Sequence, residues 1–521
     1  MTNPTATIRL LVTYGILVPV AMIAGYFLVN AVNSPNYGTL GVLGAVIALM
    51  LMPVFIKWHY PILLCCLWMP IHCFFLKGNP PIWQVAVILS FGIAIVERAL
   101  SARKRFISPP SMTWPLIYTV AMALLTAKLT GGIGLHALGG GEGNDVGGGK
   151  KYIFLFLAAV TFFALTSRVI PKERRIFYLC LYFLPAILQF MGDLVQVLPG
   201  PLQFIGLLIS STQSGDETGI GSITRFLGFG FAGNAVVYFM LAMWGVRGIF
   251  ASNQSIWRIP LFLAMVALSL VGGHRIVLLG IIAVFGLMFF LEGLHRTQAF
   301  PIFLFIGVIC ITLLVPFSDK LPYTIQRSLA VLPLNLDPAA VMDAQGSSEW
   351  RLRIWRDTWP KVPQYLLLGK GYALTATDFA MMGRGMFANG AEAHMDASQE
   401  GLAISGDYHN GPLSVLMPFG IWGAISYLAV TLAGLRILYR NFKYGDPELR
   451  VINIFFLANA LWNFICFLTV FGSYTDSIFA TSCATGISIA LNGGICGSHP
   501  KPVSVLPGRT ILLRRPQPQP I

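Results

Sequence analysis

Three residues at the ends of hydrophobic runs could do chemistry on an anionic substrate held at a membrane surface. They are Arg225 in Ser222-Ile223-Thr224-Arg225-Phe226, Arg275 in Gly272-Gly273-His274-Arg275-Ile276, and His409 in Tyr408-His409-Asn410-Gly411-Pro412. Guanidinium is planar, always charged and able to grip phosphate oxygens in pairs. An arginine at the bilayer centre costs roughly 2.5–3.5 kcal/mol on insertion scales. One that faces a helical bundle near the interface therefore wants an anion; snorkelling to water or pairing with a carboxylate is the structural alternative. His409 stands where a long polar stretch re-enters an apolar run, and a neutral imidazole there could serve as a general base. A hydrogen-bonded loop histidine is the other reading. His394, Asp396, Glu400, Asp407 and His409 could be imagined around a metal ion, but their spacing matches no zinc or calcium signature. Neither a metal nor another cofactor is expected.

The elements that must position these groups are membrane helices. Of the 521 residues, 56% are hydrophobic and 11% charged, a balance that no soluble domain of this size could carry on its surface. Apolar runs long enough to cross a hydrocarbon core of about 30 Å fall near 10–29, 38–56, 60–76, 82–97, 112–128, 151–167, 175–198, 228–246, 258–272, 276–291, 299–316, 411–434, 451–471 and 475–491. The expected fold is an all-α polytopic membrane protein of about 12–14 transmembrane helices with one long, partly helical extracytoplasmic loop. The expected divisions are a transmembrane bundle over 1–316, the loop over 317–410, further transmembrane helices over 411–491, and a proline-rich basic tail over 492–521.

Threading the runs as a zigzag tests the topology, since Lys and Arg gather on the cytoplasmic side of short loops. With the N-terminus inside, the inner turns receive Arg98, Arg103, Lys104 and Arg105, then Arg168, Lys172, Arg174 and Arg175, then Arg247 and Arg258, then Arg436, Arg440, Lys443 and Arg450. Both termini are then cytoplasmic, and the long loop faces the other side. The net charge of +14 follows from this asymmetry. Scattered over separate turns, the charge gives no reason to expect a nucleic-acid partner. The first apolar run lacks a small-residue cleavage site and reads as a retained span. Six cysteines (Cys65, Cys66, Cys180, Cys310, Cys466 and Cys483) fall inside apolar runs, so no disulfide framework is implied.

Within the long loop, Ser347-Ser348-Glu349-Trp350-Arg351 reads as a helix start with a serine N-cap and an acid in the first turn. Its tryptophans and arginines suit a headgroup layer. The glycine-rich stretch Gly139 to Lys151 is not a phosphate-binding P-loop, because Asn144 and Lys151 occupy positions where that motif needs Gly and Ser or Thr. The absence of an internal repeat weighs against a secondary transporter.

From Thr224 to Trp422 the chain resembles the bacterial O-antigen ligases and their relatives, the surface-polysaccharide polymerases. The segment Thr224-Arg225-Phe226-Leu227-Gly228 through Asn234 is similar to the family's arginine, glycine and asparagine element, with Gly233 in place of the usual proline. Gly273-His274-Arg275 resembles its Ser-Arg-Gly element, with His274 for serine. Arg351, Trp355 and Leu368-Gly369-Lys370-Gly371-Tyr372 resemble the loop helix and its closing turn, and His409-Asn410 with Leu413, Gly420 and Gly423 resembles the entry into the next span. The resemblance implies a metal-independent, inverting glycosyltransferase at the periplasmic face of the inner membrane. Its donor would be an undecaprenyl-diphosphate-linked glycan, and its acceptor another glycan or lipid A core. Arg225 and Arg275 would hold the diphosphate, His409 would activate the acceptor hydroxyl, and Arg351 and Asn410 would add substrate contacts. A ligase and a repeat-unit polymerase would use the same residues. A lipid-linked glycan flippase is the reading from another class. Oligomeric state is not legible.

Overall fold

In lipid every backbone N–H and C=O must be paired within its own segment, so long apolar runs fold as helices. The computed structural model describes residues 37–74, 76, 78–101, 106–130, 149–195, 198, 205–209, 213–215, 224–250, 256–372, 406 and 408–497. The run at 10–29, Arg103, Lys104, Arg105, the core of the glycine-rich stretch, His394, Asp396, Glu400, Asp407 and the tail from 498 lie outside the described residues. The chain is an all-α polytopic membrane protein. Among the described residues, 7 helices are long and apolar enough to cross a bilayer, and two shorter apolar helices join them.

One-turn helices aside, the order is α1 (Tyr37–Cys66), α2 (Ile82–Leu100), α3 (Pro110–Thr130), α4 (Gly149–Leu165), α5 (Arg175–Phe183) and α6 (Phe190–Leu194). A short antiparallel ribbon of β1 (Gln213–Gly215) and β2 (Thr224–Phe226) follows, with Ser214 opposite Arg225. Then come α7 (Leu227–Phe250), α8 (Arg258–Leu270), α9 (Arg275–Leu291) and α10 (Ala299–Leu314). The long loop carries α11 (Tyr323–Leu329) and α12 (Pro338–Thr358), and the chain re-enters the bundle as α13 (Gly411–Tyr444), α14 (Arg450–Thr469) and α15 (Tyr474–Asn492).

Three local expectations are corrected. The runs 38–56 and 60–76 are not separate spans: α1 is one helix of 30 residues, after which the chain turns. His59, in the gap between the two runs, and Tyr60, the first residue of the second, are buried and bonded to neighbouring helices, Nδ1 of His59 to Ser90 Oγ at 2.9 Å and the Tyr60 hydroxyl to the Leu165 carbonyl at 2.9 Å. The run 175–198 is a candidate span, bounded as Lys172–Leu194, but its middle tightens to a 3₁₀ segment, Leu184–Gln189, where Pro185 cannot supply a backbone donor. The loop helix starts well before Ser347: Asp337 caps it by accepting from the Ala339 amide at 2.8 Å, and Pro338 occupies the first helical position. Ser348 is thereby mid-helix, with its hydroxyl turned to other work.

The basic turns gather at one end of the bundle. Lys172 pairs with Asp446, Arg175 with Glu448 at 2.7 Å, Arg168 with Glu97 at 2.7 Å, and Arg440 Nε donates to the Cys496 carbonyl at 3.1 Å. At the other end, the loop is seated on α13. That helix breaks at Gly420, where φ is +60°, so the Met417 and Pro418 carbonyls are free to accept from the Lys370 and Gly371 amides at 2.7 and 2.9 Å. Ile421 N–H in turn donates to Leu366 at 2.7 Å. A small core of Ile354, Val362, Tyr408, Leu413 and Met417 clamps α12 to the start of α13. Full burial of such aliphatic side chains contributes about 1.5–3 kcal/mol each.

Gly369 sits at the tightest point of this seat. Its φ is +75°, and a Cβ there would overlap the Pro418 carbonyl. Gly369→Ala is predicted to destabilise the protein by at least about 1–2 kcal/mol, the left-handed penalty alone. Gly307→Ala, where open space surrounds the added Cβ, lowers nothing. Thermal unfolding of both purified variants checks this, and equal midpoints would mean that the loop does not depend on its seat.

Candidate active site

Arg275 opens α9 immediately after a turn in which Gly273 takes a φ of +69°. Its Nη2 donates to the Ala344 carbonyl at 2.7 Å and to Ser348 Oγ at 2.9 Å, so it reads one turn of α12. Arg327 reaches the same place from α11: its Nε donates to Asp343 Oδ2 at 2.6 Å and its Nη1 to the Gly273 carbonyl at 2.6 Å. Arg351 lies three residues beyond Ser348 on α12, hence on the same face. Burial, then the neighbouring guanidiniums of Arg275 and Arg327, pull its pKa down from the ordinary arginine value. Arginine's ordinary value is so high that the group stays charged. Three cations thus converge, with Asp343 bonded to Arg327.

Two donors at this point have no partner among the described residues. Arg351 Nε and Trp350 Nε1 are buried and make no hydrogen bond among the described residues. Leaving a buried donor unpaired costs about 1–3 kcal/mol, and such groups are rare enough in folded proteins to need a reason. A ligand oxygen would supply it.

His409 is on the other side of Trp350. Its φ is +46°, a left-handed conformation that few residues with a side chain adopt and histidine tolerates better than most. The imidazole is half-buried, edge-on between the Trp350 ring at 4.9 Å and the Phe471 ring at 5.2 Å. Trp355 Nε1 donates to the preceding carbonyl, of Tyr408, at 3.0 Å. Asn410 caps α13, its Oδ1 accepting from the Leu413 amide at 2.9 Å. The loop helix therefore carries Arg275 at Ala344 and Ser348, His409 at Trp350 and Tyr408 at Trp355. Ala344 and Trp350 are separated by a rise of roughly 9 Å along α12.

Of the residues expected from sequence, Arg275 and Arg351 come together, and His409 packs on Trp350, the neighbour of Arg351 along α12. Asn410 has its side-chain oxygen committed to the cap. Arg225 lies in β2, directly before α7, and the Phe226 carbonyl packs against Gly272 in the turn that leads to Arg275. Glycines make this approach possible: a Cβ on Gly230 would crowd Gly272, and one on Gly233 would strike the Met265 carbonyl and the Ser269 amide. Gly233, the departure from the usual proline, is thus required by helix contact. Buried Asp193 fixes the start of α7 by accepting from the Phe229 amide at 2.7 Å. Arg327 and Trp350 were not singled out in the sequence. Arg327 sits in no motif, and only its contacts with Gly273 and Asp343 reveal it. Among the described residues, no group of three or more His, Cys, Asp or Glu side chains could hold a metal ion.

Convergent guanidiniums with orphan donors should bind a polyvalent anion. Inorganic pyrophosphate is predicted to raise the unfolding midpoint of the wild-type protein and to lose most of that effect in Arg351→Met, which keeps an unbranched apolar stem but not the charge. An equal rise in both proteins would remove Arg351 from the anion site.

No curated protein matches the chain. A protein-family comparison does: residues 259–428 match the family described as O-antigen ligase. The matched stretch runs from α8 through Arg275, Arg327 and Arg351 to His409 and the first half of α13. The segment that carries these side chains is thus similar to the O-antigen ligases.

Proposed function

We propose that this protein is a glycosyltransferase that moves a glycan from an undecaprenyl-diphosphate donor to an acceptor hydroxyl at the periplasmic face of the bacterial inner membrane. The observation that carries this reading is the pair of orphan donors, Arg351 Nε and Trp350 Nε1, set between two further guanidiniums and an imidazole. The family match supports the ligase or polymerase class of activity.

In the proposed reaction, Arg275 and Arg351, with Arg225 and Arg327 nearby, hold the donor diphosphate. His409 takes the proton from the acceptor hydroxyl. The acceptor oxygen bonds to the anomeric carbon as the bond from that carbon to the diphosphate oxygen breaks, and the electron pair leaves with the diphosphate. Attack opposite the leaving group inverts the anomeric centre. Charge grows on the leaving diphosphate during this step, and fixed guanidiniums stabilise charge that develops in the transition state without reorganising. The guanidiniums thereby do what a divalent cation does in other diphosphate-dependent transfers. A ligase, with lipid A core or a related glycan as acceptor, is the reading adopted here. A repeat-unit polymerase would differ only in taking a second lipid-linked glycan as acceptor, and the glycan profile of a deletion strain distinguishes them: long chains left on undecaprenyl lipid indicate the ligase, loss of long chains the polymerase.

Two outcomes are predicted. His409→Ala should lower transfer by about 10²–10⁴, the usual worth of a general base, while donor binding survives, because the base acts on the acceptor proton. Protein level, donor binding and transfer measured on the same membranes test this, and near-normal transfer by a well-expressed variant ends the case for His409. A topology reporter fused after Gly346 should register on the periplasmic side and one after Lys443 in the cytoplasm, following the basic-residue asymmetry; a cytoplasmic signal at Gly346 would overturn the orientation.

A further inference from the structure

A cavity of about 480 Å³ opens among α5, α7, α14 and α15 and is lined by the carboxamides of Gln189, Asn234, Asn459 and Asn463 together with aromatic rings, including Trp68 and Phe231. The volume is ordinary for a small-molecule site, which spans roughly 300–1,000 Å³. The lining is unusual. Among the described residues it contains no charged side chain, and it places four carboxamides inside a membrane bundle. Asn234 Oδ1 is buried there and accepts no hydrogen bond among the described residues.

The chemistry of this lining selects among occupants. A polyprenyl or acyl chain would leave the carboxamides desolvated and unpaired, at about 1–3 kcal/mol for each lost bond. An anion would find no cation. Carboxamides donate and accept at once, as sugar hydroxyls do, and aromatic rings offer flat apolar faces to the C–H side of a pyranose. The cavity also adjoins the anion site. Phe231 in its wall stacks on His274 at 6.2 Å, and His274 immediately precedes Arg275. Asn463 lies one turn before Phe467, whose carbonyl abuts Gly411 beside His409.

We infer that this cavity is a saccharide subsite that takes a neutral sugar unit, with Gln189, Asn234, Asn459 and Asn463 as its hydrogen-bonding groups. Its role in transfer rests on the proposed glycosyltransferase function; the binding of sugar does not.

The test uses the full chain in lipid nanodiscs free of sugar-based detergent, with maltose, N,N′-diacetylchitobiose, farnesol and inorganic pyrophosphate as probes, read by thermal unfolding and by the fluorescence of Trp68 against a Trp68→Phe control. At least one disaccharide should stabilise the wild-type protein and perturb Trp68. The double variant Asn459→Leu/Asn463→Leu, apolar and of similar volume, should bind that sugar at least about tenfold more weakly, the worth of one or two hydrogen bonds. It should keep the wild-type response to pyrophosphate, which shows that the fold and the anion site are intact. The sugar and pyrophosphate effects should add. No response to either disaccharide, equal sugar binding by the double variant, or a farnesol response that strengthens in it would each overturn the saccharide assignment. Loss of the pyrophosphate response in the wild type would instead count against the diphosphate reading and leave the cavity result standing.

Discussion

The structure depends on how a guanidinium at the membrane surface is satisfied. Arg275 cannot be left bare where α9 begins, and it spends Nη2 on the carbonyl of Ala344 and the hydroxyl of Ser348 rather than on a carboxylate. Neutral partners satisfy the hydrogen-bonding demand without cancelling the charge. The same two contacts anchor α12 over the end of the bundle. A loop helix so anchored brings Arg351 and Trp350 to Arg275 and His409, and what is left over is positive charge with donors to spare.

That anchor is useful only because the loop is fixed at its far end as well. The break at Gly420 frees two carbonyls of α13, and the turn at Gly369 to Gly371 fills them with its own amides. A helix break that would be a defect elsewhere becomes the socket for the loop. The glycines of α7 do comparable work on the other flank, letting α7 and α8 approach at backbone contact so that the strand holding Arg225 stands beside the turn holding Arg275. The site is rigid because each of its walls is tied by main-chain bonds or close helix contact, and preorganised charge of this kind is what a diphosphate-releasing reaction requires.

Much of this was legible in the sequence, and the reasons differ by element. The helical class followed from apolar runs whose length is set by the bilayer, and the basic turns predicted to share one side do lie together, held by pairs such as Arg175 with Glu448. Arg275 and His409 stand out in the sequence as charged or titratable groups at the ends of apolar runs, which are expensive there unless used, and Arg351 stands out through the family resemblance. Arg327 was not, since its role comes from the fold-back of α11 onto the Gly273 carbonyl, a tertiary contact with no local signature. The start of α12 is hidden because two adjacent serines resemble an N-cap; the Asp337-Pro338 pair ten residues earlier makes the better cap, and Ser348 is used to hold Arg275. The continuity of α1 is hidden for a related reason, as Lys57 and His59 interrupt the apolar pattern, and only the bond from His59 to Ser90 on another helix shows how the histidine is accommodated.

The central claim is that Arg275, Arg351 and His409 form one diphosphate-releasing site under the loop helix. A cryo-electron microscopy structure of the full chain with undecaprenyl diphosphate bound tests it most directly. The account predicts density for the diphosphate between the guanidiniums of Arg275 and Arg351, with Arg351 Nε within hydrogen-bonding distance of a phosphate oxygen and the His409 ring facing the terminal phosphate. Diphosphate density elsewhere, with Arg351 Nε and Trp350 Nε1 still unpartnered, would contradict it.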